Sequence, residues 1–162
     1  MFYNKAPQIS ALFKKARYET FIPVKVEEQY EGGLHYKESP VLNSLLFAKT
    51  TERFLRELRQ EHPKQFSIYT DLNAKEYTKI HDKEMEAFIA LNSVNSPNVR
   101  FGGEDLPKYH KGDRVRVMGG QFEGYEGHIT RIKGEKCLVV SIKGIAAMFV
   151  AHIHPKHLKT VN

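Results

Sequence analysis

The stretch Gly112-Asp113-Arg114-Val115-Arg116-Val117-Met118-Gly119-Gly120-Gln121-Phe122-Glu123-Gly124-Tyr125-Glu126-Gly127-His128-Ile129 decides how this chain is read. Val115 and Val117 alternate with Arg114 and Arg116, as a strand with one buried and one wet face requires. Glycines stand at the expected tight corners, where backbone angles closed to other residues are needed. Phe122, between those corners, is placed to plug the mouth of a small barrel. Gly119-Gly120 and Gly124 lie between strand-like runs, not between a strand and a helix, so they do not form a phosphate-cradling loop.

Downstream of this stretch, Ile129 and Ile132 resume the alternation and Leu138, Val140 and Ile142 repeat it. Gly144 turns the chain, and Met148 to Ile153 read as a final strand pair. Short strands at regular spacing with glycine turns describe a small all-β barrel over Asp113 to Val161. A fold of about 50 residues stands near the lower limit for independent stability. In a helix, Gly119, Gly120, Gly124, Gly127, Gly134 and Gly144 would each cost roughly 1 kcal/mol, so strands are expected from Leu138 to Ile153.

Upstream, Asn95 to Lys111 holds Pro97, Gly102, Gly103 and Pro107 with no apolar period, which predicts a linker over residues 96–110. Before it the text is mixed. Pro7 to Tyr18 carries Ile9, Leu12, Phe13 and Ala16 at helical spacing. Thr20 to Glu28 alternates through Ile22, Val24 and Val26 as a strand, Glu31-Gly32-Gly33 reads as a hairpin tip, and an extended run follows from Leu34. Pro40 interrupts before Ser44 to Thr50. Thr51 offers a cap for a helix through Glu61 with Phe54, Leu55 and Leu58 as its buried stripe. Phe66, Ile68 and Thr70 alternate over a short strand, and Asp82 caps a last helix burying Met85, Phe88 and Ile89. This order predicts an α+β layer with helices on one side of an antiparallel sheet.

Composition narrows the function classes. The 162 residues carry a formal net charge of +6, unevenly placed. Residues 1–100 hold 15 Lys/Arg against 13 Asp/Glu, and residues 101–162 hold 10 against 6 with five of the eight histidines. A basic C-terminal segment suits nucleic acid or an acidic protein, though the excess is modest. No apolar run approaches the roughly 18–20 residues a bilayer span needs, and Met1 to Ala11 lacks the apolar core of a secretory signal. The single cysteine, Cys137, forms no internal disulfide and fits a reducing cytoplasm.

The opening stretch resembles a KOW motif, with Gly112, Val115, Val117, Gly120, Phe122, Gly124, Gly127 and Ile129 at the matching positions. The segment Glu38-Ser39-Pro40-Val41-Leu42-Asn43-Ser44-Leu45-Leu46-Phe47-Ala48-Lys49 resembles the part of NusG-type factors where a proline and a Phe-Pro-Gly-Tyr sequence open the third strand of the NGN domain. Pro40 matches the proline, and Leu42 to Leu45 stand at the following four positions. Thr20-Phe21-Ile22-Pro23 resembles that domain's second-strand Phe-Ile-Pro. Together with Ile80 to Ile89, the aliphatic version is most similar to the UpxY-type antiterminators of Bacteroides-like bacteria.

The resemblance implies an α+β NGN domain over residues 1–95, a linker over 96–110 and an all-β SH3-like KOW barrel over 111–162. It departs from the family at the start, where only Met1-Phe2-Tyr3-Asn4 stands for the first, central strand, and at Leu42 and Leu45, which replace aromatic residues. An absent central strand leaves unpaired backbone unless another segment or chain fills the place. The implied function is a cytoplasmic transcription elongation factor, specialised as an antiterminator for surface-polysaccharide operons. Its NGN domain docks Pro40, Leu42, Leu45 and Phe47 on the clamp helices of the largest RNA polymerase subunit. Its KOW domain engages a ribosomal protein or a termination factor. The alternative is a KOW-type RNA-binding protein associated with the ribosome.

Each singled-out residue also has a plainer explanation. Alternation sends Leu45 and Phe47 to one sheet face and Leu46 to the other, so one of these sets is core. Lys14, Lys15 and Arg17, with Arg53, Arg56 and Arg59, form basic helix faces, and Lys111, Arg114 and Arg116 stand near the barrel mouth. They are solvated surface or non-specific phosphate contacts without sequence readout. His152, His154 and His157 lack the further ligands a zinc site needs, so no metal or other cofactor is expected. Asp82, Glu84 and Glu86 complement a helix dipole. No nucleophile–base pair stands out, and no catalytic residue is assigned.

Overall fold

The computed structural model describes residues 5–30, 32–40, 44–71, 73, 75–94, 99–102, 112–132, 134–142 and 145–161, with backbone alone at 26–28, 101–102 and 146. The chain divides into two compact units, Met1–Lys79 and Ile80–Asn162.

The first unit opens with α1, Ala6–Lys15, whose first turn holds Pro7 at a position where the missing N–H costs nothing. The helix ends earlier than its apolar period because Arg17 adopts a left-handed φ of 64°. Ile9 and Phe13 then pack with Leu58 of α2, Glu52–Glu61, and Leu12, Tyr18, Leu46, Phe54, Leu55 and Phe66 close around them. Phe54 meets both Phe13 and Tyr18, with ring centroids 5.5 and 4.6 Å apart. Thr51 caps α2 as expected, its hydroxyl accepting from the Phe54 N–H at 3.3 Å.

Among the described residues, the strands of this unit do not join in the single antiparallel sheet expected. They pair as three separate ribbons: β1 (Glu19–Phe21) with β4 (Phe47–Lys49), β2 (Val24–Tyr30) with β3 (Leu34–Pro40), and β5 (Thr70–Asp71) with β6 (Glu76–Tyr77). Pro23 is the physical reason for the first break. It has no N–H to donate and is fully buried, so the run expected from Thr20 to Glu28 splits into β1 and β2. Phe66 and Ile68 are half-buried at alternate positions, yet only Thr70 and Asp71 of that run join a ladder.

The second unit holds α3 (Asp82–Ser93) and a six-stranded antiparallel sheet in the order β12 (Leu158–Thr160), β8 (Arg114–Val117), β9 (Glu126–Ile132), β10 (Glu135–Ile142), β11 (Ala146–Ala151), β7 (Val99–Gly102). The ladder has open edges at β12 and β7, so among the described residues it is a sheet rather than a ring of paired strands. Strands β10 and β11 bury both faces. Leu138 opposite Val150 and Val140 opposite Met148 line one side; Cys137 opposite Ala151, with Ala147 and Phe149, line the other. Helix α3 packs on these two strands and buries Phe88 and Leu91, while Ile89, expected in its buried stripe, is exposed. Asp82 is the first helical residue rather than the cap, a position taken by His81.

The boundary between the two units precedes α3, a helix that the sequence pattern places within residues 1–95. Val99–Gly102, inside the expected 96–110 linker, is a strand paired with β11. The rest of that linker, residues 96–98 and 103–110, lies outside the described residues.

Candidate functional site

Strand β9 is the pivot of the glycine-rich segment. Its first residues pair with β8, Glu126 opposite Arg116, Gly127 opposite Val115 and His128 opposite Arg114. From His128 onward it pairs with β10, beginning with Val139. Gly127 immediately precedes this change of partner, and a Cβ there would overlap the Val139 carbonyl oxygen and sit 3.0 Å from Leu138 Cδ1. Gly112 likewise brings its Cα against the Ile129 carbonyl, while Gly120 and Gly124 hold φ of 84° and 89° in the turn. The turn is fastened back to β8: the Val117 N–H donates to the Tyr125 carbonyl at 2.9 Å, and the Gly124 N–H to Val117 at 2.8 Å. Val115, Val117 and Phe122 are buried, with Phe122 edge-on to Tyr125, and Ile129 is half-buried. Seven of the eight positions named for the motif thus fall on one β8–turn–β9 element, and Gly112 stands two residues before β8.

Residues 111–143 match the KOW motif. No match to the chain was found among curated proteins. The KOW segment covers β8, β9 and β10, and its exposed face carries the charged residues singled out from sequence. Arg114 and Arg116 share one face of β8, and Glu126 accepts from both: Arg114 Nη2 donates to Oε2 at 2.9 Å and Arg116 Nε to Oε1 at 2.7 Å, with Arg116 Nη2 also on Oε1. The Arg116 guanidinium beside it holds the Glu126 carboxyl below the usual carboxylate range, with Arg114 adding to the effect and partial burial opposing it. Lys159 of β12 stands opposite Arg116, so three cations and one carboxylate occupy adjacent register positions. Charge patterning alone marks Arg114 and Arg116 as cations; it does not show that one carboxylate holds both, because Glu126 is ten residues away. Lys111 lies outside the described residues.

The first unit brings Lys14, Lys15, Arg17, Arg53 and Arg56 toward one end of its helix pair, with Arg59 in the last turn of α2. Lys14 and Lys15 end α1 and Arg17 follows, and the Phe13 and Tyr18 contacts with Phe54 bring that end to the start of α2, where Arg53 and Arg56 stand. Both arginines already face carboxylates, Arg53 with Glu57 at 2.9 Å and Arg56 with Glu52 at 3.4 Å. Lys79 reaches the same Glu52 at 2.7 Å and lowers its pKa. A shallow cleft here is lined by Glu52, Arg56, Lys75, Glu76, Tyr77 and Lys79.

Of the residues expected to meet RNA polymerase, Leu45 is 6% exposed and Phe47 is buried and stacked on Phe21 at 6.4 Å. Pro40 is half-buried at the end of β3, and Leu42 lies outside the described residues. Leu45 and Phe47 therefore pack within the unit rather than present an open patch.

His154 and His157 face each other at 6.1 Å, and the His157 ring lies over Gly119 and Gly120. Among the described residues no group of three His, Cys, Asp or Glu is placed to hold a metal ion. No helix of the described residues is long and apolar enough to cross a membrane. Cys137 is buried, and that burial raises its thiol pKa.

Proposed function

We propose that this chain is a non-catalytic, cytoplasmic transcription elongation factor of the NusG type, specialised as an antiterminator for surface-polysaccharide genes. The observation that carries the proposal is the KOW segment at residues 111–143, following an α+β unit whose Thr20-Phe21-Ile22-Pro23 and Pro40-to-Phe47 segments resemble the NGN domain. In this reading the first unit docks on the clamp helices of RNA polymerase through the Pro40–Phe47 segment. Buried Leu45 and Phe47 form the base that holds the docking surface in shape. The KOW sheet engages a ribosomal protein or a termination factor, and the SH3-like barrel is the fold this reading assigns to it. Arg53, Arg56, Arg114 and Arg116 add phosphate contacts without reading sequence.

The test is direct binding of the full chain to core RNA polymerase in the absence of RNA, beside binding to structured ribosomal RNA over a salt series. Co-elution with polymerase and weak RNA binding support the proposal. Tight, steeply salt-dependent RNA binding without polymerase binding assigns the chain to the ribosome-associated KOW class instead.

A further inference from the structure

Three of the large apolar side chains most open to solvent among the described residues cluster at the free end of the β2–β3 hairpin. Tyr30 is 76% exposed, Leu34 49% and Tyr36 62%. Tyr30 stands directly opposite Leu34, and Leu34 and Tyr36 are two apart, so all three share one face of the ribbon. The other face carries Lys25, Gln29, His35 and Lys37, all exposed. A two-stranded ribbon is marginal in water on its own, and an exposed apolar cluster on such an element, with Glu28 opposite Tyr36 and Glu38 beyond it at positions of the same face, marks a contact surface.

Charge selects what that surface meets. Residues 24–40 hold Lys25 and Lys37 against Glu27, Glu28, Glu31 and Glu38, a net of −2 in a chain of net +6. An acidic hairpin repels phosphate, which argues against bases stacking on the tyrosines. Face-to-face pairing of two copies would bring like charges together, which argues against self-association. The complement is a protein groove with an apolar floor and a rim of Lys or Arg. Tyrosines suit such a groove because they bury large area at low conformational cost.

We propose that the β2–β3 tip, through Tyr30, Leu34 and Tyr36, is a second docking element of this chain for a Lys/Arg-rimmed apolar groove on RNA polymerase, separate from the Pro40–Phe47 segment. The inference rests on the polymerase-binding reading above. It is tested with full-length chain and core RNA polymerase as the probe. The double variant Tyr30→Ser/Tyr36→Ser and the charge variant Glu38→Lys are each expected to weaken binding at least tenfold while circular dichroism stays unchanged; Lys37→Glu is expected to bind as well or better. In an otherwise native chain, a photo-crosslinking residue in place of Leu34 is expected to label a polymerase subunit. Wild-type chain that binds polymerase, with all these variants binding equally and no polymerase crosslink at position 34, overturns the inference and leaves the functional reading intact. Crosslinking instead to an added single-stranded oligonucleotide or to a second copy of the chain also overturns it. Wild-type chain that fails to bind polymerase overturns the functional reading itself, and this inference with it.

Discussion

Replacing Gly127 by alanine tests whether close approach, rather than an unusual backbone angle, is what the KOW segment demands of this glycine. The added Cβ overlaps the Val139 carbonyl oxygen and presses on Leu138 Cδ1 at 3.0 Å. Neither neighbour can yield cheaply: Val139 is held in the β9–β10 ladder, and Leu138 is fully buried. Overpacking against backbone costs about 2 kcal/mol or more. Slow amide hydrogens at Leu138 and Val140, which report the second unit alone, should then exchange about thirtyfold faster. Gly124 supplies the contrast, since its φ of 89° is left-handed but a Cβ there meets open space. Gly124→Ala should cost about 1–2 kcal/mol, and Gly124→Asn should recover most of that because asparagine tolerates the left-handed region. At position 127, asparagine should be no better than alanine. Gly127→Ala exchanging within threefold of wild type, or rescue by asparagine at 127, would refute the reasoning.

Leu45→Asp should unfold the first unit, because a carboxylate without a partner is forced into a nearly closed apolar site; loss of amide dispersion from α1 and α2 checks it, with the β10 and β11 signals unchanged. Glu126→Gln should cost about 1 kcal/mol, since Arg114 and Arg116 lose the shared carboxylate that separates them. The Glu126 carboxyl sits below its ordinary pKa, so its contribution is complete above the unfolded-state value and is lost as pH falls through the lower folded-state value. An acid titration of second-unit stability should therefore show a step that the Gln variant lacks. Cys137, buried and with a raised thiol pKa, should resist a thiol reagent at pH 8 in the native chain and react promptly in denaturant.

Where local chemistry dictates structure, the sequence was readable. Thr51 as a cap, Gly32-Gly33 at a hairpin end, and the Val115/Val117 alternation each rest on a short-range rule, and each stands where that rule puts it. The failures are of another kind. Pro23 marks the break between β1 and β2, yet the alternation through Ile22 and Val24 runs across it as if the strand were continuous. Phe88 and Leu91 point α3 at β10 and β11, a choice set by a sheet with two apolar faces that a helical wheel does not reveal. Val99–Gly102 looks like linker beside Gly102, Gly103 and Pro97 and becomes a strand because β11 offers an edge. The pairing of both arginines with Glu126 depends on strand register, which no sequence spacing announces.

The exchange of partners along β9 has a mechanical meaning for the KOW sheet. Three registered residues join it to β8 and five to β10, and His128 alone belongs to both sets. The two parts of the sheet are thus coupled through one strand, with Gly127 next to the shared residue and packed against the Val139 carbonyl. Among the described strands, β8 and β12, with Arg114, Arg116 and Lys159, reach the β10–β11 platform only through β9. Glu126 lies on the β8 side of that joint, so the arginine pair and the carboxylate that holds it belong to the same part of the sheet, and any load on their charges passes to the platform along one strand.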